Sequence, residues 1–298
     1  MLKEADSYEE VYGSFAWEVP QFLNMGVEVC DKHADADGAR TALIFENENG
    51  DVTQYSFQAL KGLSNKFANL LNAKGLERGD RLGILLPQSM ETGIAHLAAW
   101  KAGLISIPLF TLFGEDALKF RLSDSGARAL VTDTENLGKI EAILGDLPDL
   151  EVVFVTGARR DGNAIVDLWQ GLDAARNAFA PVNTGADEPA FISYTSGTTG
   201  NPKGVMITFG NMMFAAKGLM EVLPPHGQER MFSYLPLAHA FERGALELAS
   251  VYFGAEVFFL EDIEKLAQQL PVAAPTRFFG VPLVYTRIQA GVLKKLPQ

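Results

Sequence analysis

Short apolar runs rich in β-branched residues alternate with amphipathic helical patterns along most of the chain. Phe57, Leu60, Leu63, Phe67, Leu70 and Leu71 recur at helical spacing, which predicts a helix capped by Ser56 and stopped at Gly75. Arg81–Leu86 reads as a buried strand ended by Pro87, followed by a helix over Met90–Lys101 and a strand over Leu104–Pro108. The cycle continues with a helix at Asp116–Ser123, a strand at Arg128–Thr132, a helix at Glu135–Leu144 and a strand at Glu151–Val155.

Between Thr156 and Glu188 the pattern weakens into Gly- and Asn-containing loop, with a short helix around Ile165–Asn177. A lobe boundary is placed there, giving a first α/β lobe over residues 1–187 and a second over 188–298. The second lobe repeats the alternation, with strands expected at Ala190–Tyr194, Gly204–Ile207, Met231–Tyr234, Glu256–Leu260 and Arg277–Gly280. Helices fall between them, at Asn211–Val222, Phe241–Tyr252, Ile263–Gln269 and Pro282–Ala290. Such a succession predicts an α/β fold whose mainly parallel sheets are flanked by helices.

Composition narrows the function. The 298 residues are 48% hydrophobic and 21% charged, an ordinary globular balance. Twenty-five Lys and Arg against 37 Asp and Glu give a net charge of −12, which argues against nucleic acid as the main partner. Cys30 is the only cysteine, so no internal disulfide can form. The acidic start lacks the apolar run of a signal peptide, and the stretch Ala102–Phe113 is too short to span a bilayer. The expected location is the cytoplasm.

One segment carries chemistry. Tyr194-Thr195-Ser196-Gly197-Thr198-Thr199-Gly200-Asn201-Pro202-Lys203-Gly204 lies between two expected strands. Glycines let backbone amides approach an anion, hydroxyls add donors and an ammonium supplies charge, the combination a polyphosphate needs. From Pro189 to Met220 there is no Asp or Glu, whereas an average stretch of that length would hold about four. One lysine–phosphate pair at about 4 Å contributes on the order of 4 kcal/mol before desolvation. The spacing differs from a Walker A loop, and no Gly-x-Gly-x-x-Gly occurs. A plain Gly/Ser/Thr connector is the competing reading.

The segment resembles the phosphate-loop signature of the adenylate-forming superfamily. Tyr234-Leu235-Pro236-Leu237-Ala238-His239-Ala240-Phe241-Glu242-Arg243 resembles its next motif, in a form similar to the long-chain fatty acyl-CoA synthetase branch. Pro275-Thr276 through Val281-Pro282 and Ile288–Gly291 resemble the same branch. Gly79-Asp80-Arg81, Leu86-Pro87-Gln88 and Pro108-Leu109 through Asp124-Ser125-Gly126-Ala127 resemble the superfamily's early motifs.

The resemblance implies two half-reactions, in which a carboxylate attacks the α-phosphate of Mg-ATP and a thiol, usually CoA, then displaces AMP. It implies that Thr195, Ser196, Gly197, Thr198, Thr199, Gly200, Asn201, Pro202 and Lys203 wrap the β- and γ-phosphates, that Thr195 also ligates Mg²⁺, and that Lys203 and His239 serve catalysis. The partners implied are ATP, CoA and a small carboxylic acid, a fatty acid first and a medium-chain, aryl or amino acid as the alternative, with peripheral membrane contact open. A non-catalytic fragment that binds nucleotide or acyl ligand is the third reading. Phe209 stands where many relatives have a histidine, and Leu283 where the long-chain branch has a basic residue. The superfamily's Tyr-Gly-x-Thr-Glu segment, ribose-binding aspartate and C-terminal lysine are not found, so the chain is expected to correspond to the first half of such an enzyme, not competent alone.

Other candidates read more plainly as structure. His33, His96 and His226 show no metal-ligand spacing, and Cys30 has no CxxC partner. Glu261, Asp262 and Glu264 suit a helix start, and Arg159-Arg160 a solvated loop. Met212, Met213, Phe214, Phe258, Phe259, Phe278 and Phe279 fit core packing, with an acyl-chain pocket as the alternative for some.

Overall fold

The computed structural model describes residues 4–16, 18–46, 50–157, 164–195, 201–235, 242, 253–260 and 263–293. Among them, the helices that frame the site are α1 (Tyr8–Ser14), α2 (Lys32–Asp37), α3 (Phe57–Ala73), α4 (Met90–Lys101), α5 (Glu115–Ser125), α6 (Thr134–Ile143), α7 (Leu168–Ala174) and α8 (Phe209–Val222). The strands are β1 (Thr41–Glu46), β2 (Val52–Ser56), β3 (Arg81–Leu85), β4 (Ile105–Pro108), β5 (Ala129–Asp133), β6 (Val152–Thr156), β7 (Ile165–Asp167), β8 (Pro189–Thr195), β9 (Lys203–Thr208), β10 (Arg230–Ser233) and β11 (Glu256–Phe259).

The local signals act as read. The Ser56 side chain accepts from the Ala59 amide at 3.2 Å and starts α3, while Gly75, at φ +84°, follows its end. Ser89 caps α4 through the Thr92 amide. Thr208 and Asn211 satisfy each other's backbone amides in a capping box that opens α8.

Seven strands form one sheet in the order β7-β6-β5-β3-β4-β8-β9, and four form a second in the order β10-β11-β1-β2. Neighbouring strands run parallel except at β1–β2 and β8–β9, which are antiparallel. One core packs α3, α4 and the start of α8 on the large sheet, with Trp100, Phe57 and Phe67 fully buried and Phe67 edge-on to Phe154 at 5.1 Å. A second core packs α5 and α6 through Leu118, Leu122, Leu137 and Ile140. Burial of apolar side chains beneath helices on both faces is what makes a parallel sheet stable.

Three sequence expectations change. The division at 187/188 does not follow the sheets: β8 and β9 join the strands of the first part, and β1 and β2 join β10 and β11 of the second. Ser106 of β4 pairs with Phe191 of β8, a contact that no local pattern encodes. Second, the expected helix at Ile165–Asn177 begins as the short strand β7, because Ile165, Val166 and Asp167 pair with β6 before Asp167 caps α7. Third, Arg277–Gly280 makes only a single bridge, Met231 to Arg277, rather than a strand. The expected helix Phe241–Tyr252 lies outside the described residues, Glu242 excepted.

Candidate functional site

The candidate phosphate-binding segment joins β8 to β9 at the edge of the large sheet. Thr195, the last residue of β8, is the Cα partner of Lys203, the first of β9, and Tyr194 is the partner of Gly204. Directly opposed residues of an antiparallel pair project to the same face, and successive residues to opposite faces. The Thr195 hydroxyl and Lys203 ammonium therefore share one face, and both residues are exposed. They sit at the carboxyl end of β8, the end at which open α/β sheets bind ligands.

On the opposite face the hairpin is filled. The Tyr194 hydroxyl donates to Asp124 Oδ2 at 2.7 Å, and its ring meets Phe120 edge-on at 6.4 Å. Arg121, stacked 4.0 Å from the Phe113 ring, also lies 5.6 Å from the Tyr194 ring. Burial, and then the Asp124 carboxylate, hold the Tyr194 phenol well above its usual pKa. Gly204 leaves room for that ring: a Cβ there would come within 2.8 Å of Ile192 Cγ2 and 3.3 Å of Tyr194 Cζ.

Of the residues expected to bind phosphate, Thr195, Asn201 and Lys203 are exposed and Pro202 is half-buried. Ser196, Gly197, Thr198, Thr199, Gly200 and His239 lie outside the described residues. The stretch without acids in sequence is not without them in space, since α5 delivers Asp124 to Tyr194. Lys217 turns elsewhere, donating to the Glu18 carbonyl at 3.1 Å. Phe209 is buried in the core, where it packs instead of offering a polar contact, and Leu283 is exposed.

The second motif is tied to the early ones. Gln88 Nε2 donates to Ser233 Oγ at 2.9 Å and to the Leu235 carbonyl at 2.7 Å, joining the exit of β3 to the exit of β10. The Tyr234 amide donates to Glu242 Oε1 at 3.0 Å, and the Val281 amide donates to the Tyr234 hydroxyl at 3.1 Å. Burial raises the pKa of the Tyr234 phenol, opposed by the Val281 amide. Tyr234 also stacks on Phe278 at 5.7 Å. Met212, Met213, Phe258 and Phe259 are core residues, whereas Phe278 is half-buried beside Tyr234.

A buried ion pair escaped the sequence reading. Lys101 Nζ, fully buried, lies 2.5 Å from Asp31 Oδ1 and donates to Ser64 Oγ at 2.8 Å and Asn65 Oδ1 at 2.9 Å. Burial raises the pKa of Asp31, with Lys101 opposing. Asp31 ends a π-helical turn, Val27–Asp31, whose only helical hint in sequence is Val27 and Cys30 at i, i+3. Burial pushes the Cys30 thiol up to about 12, which leaves it inert as a nucleophile. His96 is buried beside Trp100, and His33 lies 3.2 Å from Arg40 Nη2. Among the described residues no group of three His, Cys, Asp or Glu could hold a metal, and no helix is long and apolar enough to cross a membrane.

Thr195 and Lys203 thus flank a Gly- and Thr-rich connection, side by side at the carboxyl end of a parallel strand in an α/β protein. The chain belongs to the AMP-binding enzyme family, whose model matches residues 30–297. It is 33% identical over 233 residues to long chain acyl-CoA synthetase 6, peroxisomal, of Arabidopsis thaliana, covering 74% of this chain and 33% of that one. It is 36% identical over 221 residues to the acetyl-coenzyme A synthetase of Burkholderia lata, covering 68% and 34%. Among solved structures, an acyl-CoA synthetase of Brucella canis shares the fold at a TM-score of 0.82 and 23% identity, over 96% of this chain and 54% of that one. ATP-bound MatB of Rhodopseudomonas palustris matches at a TM-score of 0.75 and 28% identity, over 89% and 50%. The chain thus spans about a third of the length of these curated relatives and about half of these solved chains.

Proposed function

We propose that this chain carries the triphosphate-binding part of an enzyme that activates a carboxylic acid with ATP and passes the acyl group to CoA. The observation that carries the reading is the placing of Thr195 opposite Lys203 on one exposed face at the end of β8. In this reading Thr195 to Lys203 surround the β- and γ-phosphates, and Lys203 offsets their charge. Charge neutralisation and positioning are what phosphoryl chemistry asks of a protein, without a protein nucleophile.

Mg²⁺ suits this set: it keeps its water and phosphate ligands and takes few from protein, so a single exposed hydroxyl, Thr195, fits it. When bound, it supplies further neutralisation of phosphate charge. A carboxylate oxygen bonds to the α-phosphorus, the bond to the bridging oxygen breaks, and pyrophosphate leaves with the electron pair. The CoA thiol then adds to the acyl carbon, loses its proton, and AMP leaves. His239 belongs beside the carboxylate and α-phosphate.

For the acid, a fatty acid is the first reading, supported by the form of the His239–Arg243 motif and by the long-chain relative. The acetyl-coenzyme A synthetase relatives favour a short acid as the second. The length of the relatives motivates a third, a chain that binds ligand without turnover by itself.

Calorimetry with Mg-ATP tests the core of the proposal. The chain is expected to bind, and Lys203→Ala to weaken binding about tenfold or more without changing the unfolding transition, since Lys203 is exposed. Unchanged affinity would remove Lys203 from the site. Carboxylate-dependent ATP–pyrophosphate exchange by a full-length protein that contains this chain, scanned from acetate to palmitate, ranks the acids.

A further inference from the structure

We propose that Asp124 is a positioning residue for the triphosphate site, holding the Thr195–Lys203 pair in place through Tyr194. The inference rests on the function proposed above.

Tyr194 directly precedes Thr195 and projects to the opposite face of the hairpin, so whatever fixes its ring fixes the end of β8. Its hydroxyl donates to Asp124 Oδ2 at 2.7 Å, and the Arg121 carbonyl lies 3.3 Å away. Both partners lie in the C-terminal half of α5, whose last turn is itself tied down. Gly126 closes the helix at φ +60°, and the Arg81 guanidinium of β3 donates to the Ser125 carbonyl at 2.7 Å and to the Gly126 carbonyl at 2.5 Å. A continuous path of contacts therefore runs from the middle of the sheet at β3, through the end of α5, to Asp124, Tyr194 and the Thr195–Lys203 pair.

Gly204 completes the clamp. It pairs with Tyr194 and has no Cβ, so the ring lies between β9 and α5 with contacts on both sides. The sign of the charge also calls for a reason. A carboxylate beside a polyphosphate site repels its ligand, and no acid occurs between Pro189 and Met220. Asp124 is placed on the face away from Thr195 and Lys203, where it accepts a hydrogen bond instead of facing phosphate. This is the placement of a brace, and small displacements of a site's binding groups cost far more than the contact that holds them.

The test combines two measurements on the 298-residue chain, with Tyr194→Phe, Asp124→Ala and the double variant. Hydrogen exchange of peptides covering residues 193–205 reads the anchoring itself, and calorimetry with Mg²⁺ and inorganic tripolyphosphate, then Mg-ATP, reads the site. Each single variant is expected to speed exchange there and to weaken tripolyphosphate about fivefold, with the double variant no worse than Tyr194→Phe, which already removes the bond to Asp124 together with the contact to the Arg121 carbonyl. Leu172→Ala, in the other core beneath α7, should lower the melting temperature while leaving affinity unchanged, which separates positioning from loss of stability. Unchanged exchange in both single variants, or a double variant whose loss is the product of the two, would overturn the inference. A wild-type chain that binds neither ligand would instead overturn the proposed function, with the exchange data still deciding whether Asp124 anchors the hairpin.

Discussion

Gln88, just past the end of β3, and Ser233, the last residue of β10, are joined by a 2.9 Å hydrogen bond that connects the two sheets at their carboxyl ends. The same amide also reaches the Leu235 carbonyl. Gln88→Leu removes both bonds and leaves the Leu235 carbonyl without this donor. A loss of about 2 kcal/mol is expected by urea denaturation, two net hydrogen bonds at about 1 kcal/mol each. A loss within about 0.5 kcal/mol would mean that the sheets are held by apolar packing alone.

Gly204→Ala tests the packing of the hairpin. The new methyl would come within 2.8 Å of Ile192 Cγ2, closer than side chains tolerate, and must push either Ile192 or the Tyr194 ring. Overpacking of this kind costs about 1–3 kcal/mol. Both stability and Mg-ATP affinity should fall, in contrast to Lys203→Ala, which should change affinity alone. An alanine variant with wild-type stability would show that the ring has space that the geometry denies it.

Asp31 and Lys101 form a pair that should tolerate joint replacement better than single replacement. Asp31→Ala leaves a fully buried ammonium without its carboxylate, at a cost of about 3–5 kcal/mol. Replacing Asp31 with Leu and Lys101 with Met together removes the buried charge and is expected to cost less than Asp31→Ala. The outcome that fails this prediction is a double variant less stable than the single one.

Glu188 gives a pH dependence. The guanidinium of Arg78 hydrogen-bonds both of its oxygens, and the Gly185 amide adds a third bond, so its carboxyl is held below the ordinary value of 4.5. Between that lowered pKa and 4.5 the unfolded chain binds more protons than the folded one, so stability rises with pH across this window. The contribution is fully present above pH 4.5 and disappears as pH falls through the folded value. Urea denaturation at pH 6, 4.5 and 3.5 should show wild type and Glu188→Gln converging on acidification. A gap that widens at low pH would reverse the assignment.

Most of the large sheet was legible because its signals are local. Met90–Lys101 has its cap, Ser89, and its stop, Gly103, within one turn of its ends, and the helix has the bounds that the sequence implied. The candidate phosphate-binding segment stands out for the same reason, since its glycines, hydroxyls and lysine are contiguous. What escaped depends on distant partners. β2 is a half-exposed strand, Val52–Ser56, made regular only by pairing with β1, and β7 is three residues long and defined by β6. Asp124 carried no separate signal for a role at Tyr194, because a separation of 70 positions gives no hint that α5 returns to the edge of β8. Lys101 reads as the charged last residue of an otherwise apolar helix until Asp31 is seen across from it.

The parallel pairing of β1 with β11 has a consequence for biosynthesis. β2 pairs with one edge of β1 soon after it is made, but on the other edge Leu43, Ile44 and Phe45 meet Val257, Phe258 and Phe259, so in a nascent chain that edge of an apolar strand stays open while some two hundred further residues are translated. The seven-stranded sheet needs nothing beyond β9 and can form earlier in the same passage. Synthesis therefore sets the order of assembly, and the open edge of β1 marks where a chaperone has work to do.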